Sequence, residues 1–249
     1  MISEKELIRY DRQIRIDELG VEGQLKLKNA RVIVVGAGGL GCPASIYLAA
    51  AGVGYITIID GEKVELSNLN RQIGHWTSDI GKPKSISLAE KLRRLNPEIT
   101  IKPVIDKLTP ENTHKLIKEA AVVLDCLDNW EARFRLNEAC VNAGIPLIHA
   151  GVRSFYGQLT TIIPGKSPCL RCILPQNPPD EEVTPVLGVT AGFMGLLEAL
   201  EAIKIITGVG EPLIGRMLYF DGEAMLFHTI EINRREDCPV CSEMGKKKI

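Results

Sequence analysis

Three polar segments carry the residue types that bind and break phosphate esters. Residues 67–72 read SNLNRQ, residues 81–84 read GKPK, and residues 125–129 read DCLDN. Asn68, Arg71 and Lys84 would bring an amide and two cations to one region of a nucleotide site. An enzyme that uses a dinucleotide seldom needs that many cations beside the phosphates, whereas an enzyme that breaks ATP does.

A glycine-rich segment precedes these residues and indicates what holds the nucleotide. Residues 36–41 read GAGGLG, which fits G-x-G-x-x-G, between a β-branched run and an alanine-rich run. The pattern predicts a strand, a tight turn and a helix whose amino end favours an anion. Asp60 ends the next apolar run, where a carboxylate that binds ribose belongs.

Asp128 has two interpretations that spacing leaves open. It lies just past a predicted strand end, so it could ligate Mg²⁺ together with phosphate oxygens. It also precedes a predicted helix that starts near Glu131, so it could instead be the N-cap of that helix. Arg12 lies on the predicted N-terminal helix, and its spacing alone indicates a solvated surface charge.

Two Cys-x-x-Cys pairs predict a metal site. Four thiolates are the ligand set of a closed, structural Zn²⁺ site, and the wide separation of the pairs would join two distant segments. The four candidate ligands are Cys169, Cys172, Cys238 and Cys241. A disulfide pair or a redox-active motif is the alternative, which a reducing compartment disfavours. The remaining cysteines are predicted to be small core residues: Cys42, Cys126 and Cys140.

The strand and helix patterns predict the fold that must position these residues. Up to residue 151, β-branched runs alternate with helical runs. This alternation indicates an α/β, Rossmann-like, mainly parallel sheet with helices on both faces. Closely spaced strands then predict an antiparallel C-terminal extension beside a long helix over residues 191–207. A proline-rich stretch over residues 174–188 predicts an irregular crossover loop.

We predict a single domain over residues 1–249, in three parts. Residues 1–25 would form a helical arm, with one amphipathic helix over residues 4–19. Residues 26–151 would bind the nucleotide, and residues 152–249 would contain the zinc site.

Composition narrows the classes of partner. The 30 basic and 31 acidic residues nearly balance, which argues against a nucleic-acid partner. No apolar run reaches the length of a membrane span, and the charged N-terminus lacks a signal-peptide core. We therefore predict a cytoplasmic protein without a membrane partner. The lysines at 246–248 are predicted to form a solvated tail.

Together the motifs resemble one enzyme family. GAGGLG, Asp60 with Glu62, SNLNRQ, GKPK, DCLDN and both Cys-x-x-Cys pairs occur in this order in the MoeB/ThiF-type adenylyltransferases (HesA/MoeB/ThiF), relatives of the ubiquitin-activating enzymes. The resemblance runs from RYDRQ to CPVC, nearly the whole chain. It implies that ATP adenylates the C-terminal Gly-Gly carboxylate of a small ubiquitin-like, β-grasp sulfur-carrier protein, with Mg²⁺ for catalysis and Zn²⁺ for structure.

The resemblance also implies residue roles. Asp60 would bind the ribose, and Arg12 would reach the ATP of the other subunit of a homodimer. The carrier would bind to residues 152–249. The nucleotide-binding residues would be Gly39, Gly41, Asp60, Asn68, Arg71, Lys84 and Asp128. Catalysis would depend on Arg12, Arg71, Lys84 and Asp128.

One feature departs from some relatives. No cysteine lies between Cys172 and Cys238, and Glu181 occupies the loop position where some relatives carry a reactive cysteine. We therefore predict adenylation without a thioester, and a sulfur donor on another protein, such as a cysteine desulfurase or a rhodanese.

The motifs leave other functions open. One alternative is an enzyme of the same superfamily that activates a tRNA or a small carboxylate. Another is an NAD-dependent oxidoreductase, although the four histidines are scattered and predicted to be structural or on the surface. The motifs do not choose among carriers for molybdopterin, thiamine or tRNA thiolation.

Overall fold

The computed structural model describes residues 1–179 and 183–242. Glu181 and the predicted lysine tail lie outside these residues. Within them, the secondary structure alternates as predicted up to β5 and then changes to antiparallel strands. The strands are β1 Arg31–Val35, β2 Tyr55–Ile59, β3 Thr100–Val104, β4 Val122–Asp125, β5 Leu147–Arg153, β6 Tyr156–Ile162, β7 Arg216–Asp221 and β8 Leu226–Glu231.

Nine helices are assigned in the described residues, and two 3₁₀ turns follow β2. The helices are α1 Glu4–Arg9, α2 Asp11–Ile14, α3 Gly20–Asn29, α4 Gly41–Ala51, α5 Lys84–Leu95, α6 Thr113–Ile117, α7 Trp130–Ala143, α8 Leu170–Ile173 and α9 Gly188–Thr207. The 3₁₀ turns are Leu66–Asn68 and Thr77–Asp79. None of these helices is both long enough and apolar enough to cross a membrane.

One sheet of eight strands organises the molecule, in the order β3-β2-β1-β4-β5-β6-β7-β8. The first five strands are parallel, and the last three pairings are antiparallel. The predicted Rossmann-like class with an antiparallel extension is therefore confirmed. Chain order reverses between β1 and β4, and ligands bind at such a switch point, outside the carboxyl ends of the strands.

Two apolar clusters cover the two faces of the sheet. Alternate residues of β1 divide between them: Val32 and Val34 pack on one side, Ile33 and Val35 on the other. Helices α4, α5 and α9 contribute to the first cluster, and α6 and α7 to the second. Burial on both faces explains the continuous β-branched run of β1.

The prediction of one N-terminal helix over residues 4–19 is wrong. The chain leaves helical geometry at Tyr10, whose backbone has φ −103° and ψ 11°. Its buried hydroxyl accepts a hydrogen bond of 2.8 Å from Asn96 Nδ2. This contact with the end of α5 divides the arm into α1 and α2, because anchoring the tyrosine outweighs helix continuity.

The proline-rich stretch agrees with its prediction where the structure describes it. Residues 174–179 and 183–187 contain no helix or strand. Val186 forms an isolated bridge to Ser154. Helix α9 begins at Gly188, three residues before its predicted start, and extends to Thr207.

Candidate functional site

A pocket of about 250 Å³ lies at the carboxyl ends of β1, β2 and β4. Its position is the one that the reversal of strand order predicts. Three predicted site residues line it, namely Asp60, Lys84 and Asp128. The remaining lining residues are Val35, Gly36, Gly38, Ile59, Gly61, Glu62, Gln72, Asp106, Lys107, Leu108, Cys126, Leu127, Asn129, Glu131, Ala132 and Arg135.

The glycine loop fits tightly against the chain that follows β4. Gly36 has φ +102°, and a Cβ atom there would lie 2.4 Å from the Cys126 carbonyl oxygen. A Cβ atom at Gly41 would lie 1.8 Å from the Gly36 carbonyl oxygen. Only glycine is compatible with both contacts. The loop is thereby held at the pocket and leads directly into the amino end of α4.

Asp60 holds the glycine loop from the end of β2. Its Oδ2 accepts a 2.8 Å hydrogen bond from the Ala37 N–H, and its Oδ1 accepts one of 2.8 Å from the Glu62 N–H. Burial raises the pKa of Asp60 above its ordinary value, and the two backbone donors oppose that rise. A carboxylate fixed in this way is suited to accept further hydrogen bonds from ribose hydroxyls.

His75 holds the same loop residue, Ala37, through its carbonyl group. Its Nε2 lies 2.8 Å from the Ala37 carbonyl oxygen, and its Nδ1 lies 2.9 Å from Ser87 Oγ. Burial lowers the pKa of this imidazole. The scattered positions of the four histidines predicted structural or surface roles for all of them. His75 is structural, but it also holds the glycine loop of the site, a role that only its contacts with distant residues reveal.

Lys84 is the buried cation among the residues that line the pocket, which also include the more exposed Lys107 and Arg135. It is buried at the start of α5, and its Nζ lies 2.8 Å from Glu62 Oε2. The hydrogen bond from Lys84 lowers the pKa of Glu62. Glu62 therefore holds the ammonium group at the pocket wall and keeps a buried charge paired.

Neither Asn68 nor Arg71 lines the pocket, although Arg71 lies beside the glycine loop at Gly39. Asn68 Oδ1 accepts a 3.0 Å hydrogen bond from the Glu65 N–H within the first 3₁₀ turn. Arg71 donates to the Ser67 carbonyl oxygen at 2.9 Å and to Asn70 Oδ1 at 3.0 Å. Its Cγ would lie 3.6 Å from a Cβ atom at Gly39, which also lies outside the pocket lining, as does Gly41.

Asp128 is exposed at the pocket and does not cap the next helix. The N-cap of α7 is Asn129, whose side chain accepts a 2.9 Å hydrogen bond from the Ala132 N–H. The alternative interpretation of Asp128 as a cap is therefore wrong. Its exposed carboxylate lies 3.5 Å from Asn129 Nδ2, a long contact that leaves it accessible to a ligand.

Arg12 lies far from the pocket of its own chain. It is exposed on α2, and the nearby carboxylate of Asp11 pairs with Arg15 at 2.8 Å. The next residue, Gln13, donates to the carbonyl oxygen of Ala51, the last residue of α4. Helix α4 begins at the glycine loop and is about 16 Å long. Arg12 and the pocket thus lie at opposite ends of this helix.

A buried polar cluster braces the segment that carries Asp128. His149 Nδ1 lies 2.7 Å from Asp125 Oδ2, and the guanidinium of Arg133 lies 3.6 Å from the same oxygen. Burial alone would raise the pKa of Asp125, but Arg133 and His149 together hold it below its ordinary value. Arg133 also donates to the Leu127 carbonyl oxygen, so the cluster fixes the backbone just before Asp128.

Glu198 brings a second acid to this buried region from α9. The side chain is fully buried, and its Oε2 accepts a 3.3 Å hydrogen bond from Cys126 Sγ. Burial raises the pKa of Glu198 well above its ordinary value, and the negative charge of Asp125 adds to the effect. A spacing pattern cannot reveal this pair, because 72 residues separate its members.

The four predicted metal ligands come together. The sulfurs of Cys169, Cys172, Cys238 and Cys241 all lie within 4.8 Å of one another, and all four residues are buried. The backbone N–H of Arg235 points at Cys172 Sγ at 3.4 Å, a hydrogen bond that supports a thiolate ligand. The donor set and its closed surroundings fit a structural Zn²⁺ ion.

The matching family model covers residues 10–240 and is that of the ThiF family. The chain belongs to this family. The match spans the pocket, the polar segments and nearly all of the cysteine cluster. It confirms the resemblance drawn from the order of the motifs.

Named relatives and a solved structure agree with this membership. The chain is 45% identical over 249 residues to the SAMP-activating enzyme E1 of Haloferax volcanii, covering 98% of this chain and 92% of that protein. It is 46% identical over 248 residues to the adenylyltransferase and sulfurtransferase MOCS3 of Sus scrofa. That match covers 97% of this chain but 54% of MOCS3, about half its length. The structure of E. coli MccB with ATP matches with a TM-score of 0.85 and 27% identity, over 96% of this chain and 75% of MccB.

We expect one Zn²⁺ per chain in protein purified under reducing conditions, measured by elemental analysis. Cys172→Ala should lose the ion, because three thiolates no longer close the coordination shell. Its C-terminal half should then become the first target of limited proteolysis. Cys140→Ala is the control, since Cys140 is equally buried but outside the cluster, and it should retain the zinc. Clearly substoichiometric zinc in the wild type would contradict the assignment.

We expect Glu198→Gln to make stability less dependent on pH. The pKa of Glu198 is higher in the folded protein than its unfolded value of 4.5. The protonated carboxyl therefore contributes stability that is fully present below pH 4.5 and is lost as the pH rises through the folded pKa. The variant should therefore unfold at a higher urea concentration than the wild type at about pH 8, and nearly equally at about pH 4.5.

Exposed Glu18→Gln provides the matched control for this pH dependence. It makes the same chemical change without burial, so its stability curve should follow that of the wild type. Parallel curves for Glu198→Gln and the wild type would show that the buried carboxyl is ionised in the folded protein, against the expectation.

Proposed function

We propose that this chain uses ATP to adenylate the C-terminal Gly-Gly carboxylate of a ubiquitin-like, β-grasp sulfur-carrier protein, with release of pyrophosphate. The observation that carries the proposal is the convergence of Asp60, Lys84 and Asp128 on one pocket at the switch point of the sheet. The names of the relatives, activating enzyme and adenylyltransferase, support the same reaction class. Membership in the ThiF family favours it over hydride transfer.

The chemistry requires charge neutralisation more than proton transfer. A carboxylate oxygen of the carrier attacks the α-phosphorus, the bond to the bridging oxygen breaks, and pyrophosphate departs with that electron pair. The attacking carboxylate is already ionised at neutral pH, so no general base is needed. The approach of one anion to a polyanion must be offset by fixed cations, the role that we assign to Lys84 and Arg71.

The remaining nucleotide contacts follow from the layout of the loop. Asp60 would accept hydrogen bonds from the ribose, and Gly39 and Gly41 would allow the phosphates to approach the backbone at the start of α4. Arg71 lies against Gly39, and Asn68 supports the same turn. Closure of this turn over bound ATP would bring Arg71 to the phosphates.

Mg²⁺ would be held by Asp128 together with phosphate oxygens. Its carboxylate lines the pocket and is exposed, so the residues present fit a hard cation that prefers oxygen ligands. When bound, the ion would supply positive charge to the phosphates of the leaving group. Zn²⁺ at the four cysteines would be structural.

A homodimer would complete each ATP site with Arg12 of the other subunit. The support is geometric, because α2 lies at the end of α4 opposite the pocket. A side chain there cannot reach ATP within its own chain. If Arg12 of each subunit enters the ATP site of the other, its guanidinium would contact the phosphates from the side that a single chain leaves uncovered.

The carrier would bind to residues 152–249. Strand β8 is exposed along its whole length at the edge of the sheet. On one face of β7 and β8, the exposed side chains of Tyr219, Leu226 and Ile230 offer an apolar contact surface.

The acyl-adenylate would pass to another protein without a thioester on this chain. Cys42, Cys126 and Cys140 are buried. Burial raises the pKa of Cys42 to about 12 and raises the pKa of the other two. Such thiols are poor nucleophiles at neutral pH. A cytoplasmic sulfur donor, such as a cysteine desulfurase or a rhodanese, would complete the pathway.

We expect Asp128→Ala to lower carrier-dependent ATP–pyrophosphate exchange by about 100-fold or more. The Mg²⁺ that would neutralise the leaving pyrophosphate would lose its protein ligand. The unfolding midpoint should be unchanged, since Asp128 caps no helix. Exposed Asp17→Ala, on the N-terminal arm, should retain full exchange. Near-normal exchange by a folded Asp128→Ala protein would remove Asp128 from the mechanism.

We expect inactive Arg12→Ala and inactive Asp128→Ala proteins to restore activity when mixed. Each hybrid dimer would contain one site with both residues intact, so random exchange should give roughly a quarter of wild-type activity. Subunit exchange is monitored with two affinity tags. Hybrid dimers that form but stay inactive would contradict the transfer of Arg12 between subunits.

A further inference from the structure

Gln72 is a buried pocket residue whose side chain has no hydrogen-bond partner among the described residues. It ends the SNLNRQ segment, is 4% exposed and lines the pocket. Its backbone is firmly held, because its N–H donates to the Asn68 carbonyl oxygen at 2.9 Å and its own carbonyl oxygen accepts from the His75 N–H at 3.0 Å. Yet Oε1 is completely buried and unpaired, and among the described residues no group hydrogen-bonds to the amide.

The fold satisfies an equally buried glutamine elsewhere. Gln24 is 1% exposed, and its Nε2 donates to the Ala51 carbonyl oxygen at 3.1 Å while its Oε1 accepts from Gln13. Buried polar groups are nearly always paired, and an unpaired one opposes folding. The Nε2 donor of Gln72, unlike that of Gln24, has no acceptor among the described residues, so this end of the side chain is available to a partner that is not part of the chain.

The place of the amide identifies the chemistry of that partner. Oε1 is the buried end, so the N–H end is the one that the pocket can reach. Nε2 would lie 3.6 Å from a Cβ atom at Gly38. Because this glycine has no side chain, a phosphate can approach the backbone of the loop there. An N–H donor beside such a glycine suits an acceptor oxygen, and Lys84 lines the same pocket.

We propose that Gln72 Nε2 donates a hydrogen bond to a phosphate oxygen of the bound nucleotide and holds the phosphate chain against the glycine loop. The proposal rests on the proposed function in one respect, the identity of the nucleotide as ATP. Gln72 would be a binding residue that orients the group under attack. It would add a neutral donor to the cations of this site, without adding charge that must be desolvated.

The test is equilibrium binding of α,β-methylene-ATP with Mg²⁺, and separately of adenosine, by calorimetry. Gln72→Ala and Gln72→Met should weaken binding of the ATP analogue by about 10- to 100-fold, the effect of one hydrogen bond to a charged group. Adenosine affinity should change by less than about twofold, because the contact is to phosphate. Gln72→Glu should lose more affinity for the analogue than Gln72→Met, since a carboxylate repels phosphate.

Thermal unfolding without nucleotide distinguishes this contact from a structural role. Gln72→Met removes an unpaired amide and no protein hydrogen bond, so its midpoint should equal or exceed that of the wild type. Gln24→Ala is the matched control, and it should lower the midpoint while leaving nucleotide affinity unchanged.

Three results would overturn the proposal: unchanged affinity for the ATP analogue in Gln72→Met, an equal loss of adenosine affinity, or no analogue binding by the wild type. Failure of the proposed function would differ. The wild type would then bind the analogue through Gln72 but show no carrier-dependent pyrophosphate exchange.

Discussion

The close approach of the glycine loop to the chain after β4 is the constraint on which the site depends. Gly36 and Gly41 have no side chains, so the loop can turn against the Cys126 carbonyl oxygen and enter α4 at once. Asp60 then accepts a hydrogen bond from the N–H of Ala37, and His75 contacts the carbonyl oxygen of the same residue. Any larger side chain would separate β1 from β4 and move the walls of the pocket apart.

The charged residues of the site are positioned by ion pairs and hydrogen bonds that are already formed within the protein. Glu62 positions Lys84, and the cluster of Asp125, His149 and Arg133 stabilises the backbone that presents Asp128. Buried charges are tolerated here because each has a partner. The exposed carboxylate of Asp128 and the side chain of Gln72 line the pocket and are available to a ligand. Pre-positioned groups of this kind lower the energetic penalty of reorganisation when a polyanion binds.

The C-terminal part is attached to this nucleotide site by packing and by the cysteine cluster. Helix α9 packs on the face of the sheet that carries α4, and Glu198 on that helix contacts Cys126 at the pocket wall. On the opposite face, the four cysteines join α8 to the segment after β8. The antiparallel strands are therefore anchored on both faces, which leaves the outer surface of β7 and β8 available to a protein partner.

The sequence by itself determined the parts that depend on local spacing. The alternation of strands and helices, the glycine loop with Asp60, and the two cysteine pairs follow from residues close together in the chain, and their order indicated the family. Tertiary structure alone decided the rest. The N-terminal arm is divided at Tyr10 by its contact with Asn96, and the N-cap of α7 is Asn129. Asn68 and Arg71 lie outside the pocket lining. Tertiary structure also paired Cys126 with Glu198 and left Gln72 unpaired, because burial and hydrogen bonding depend on groups that meet only when distant segments pack.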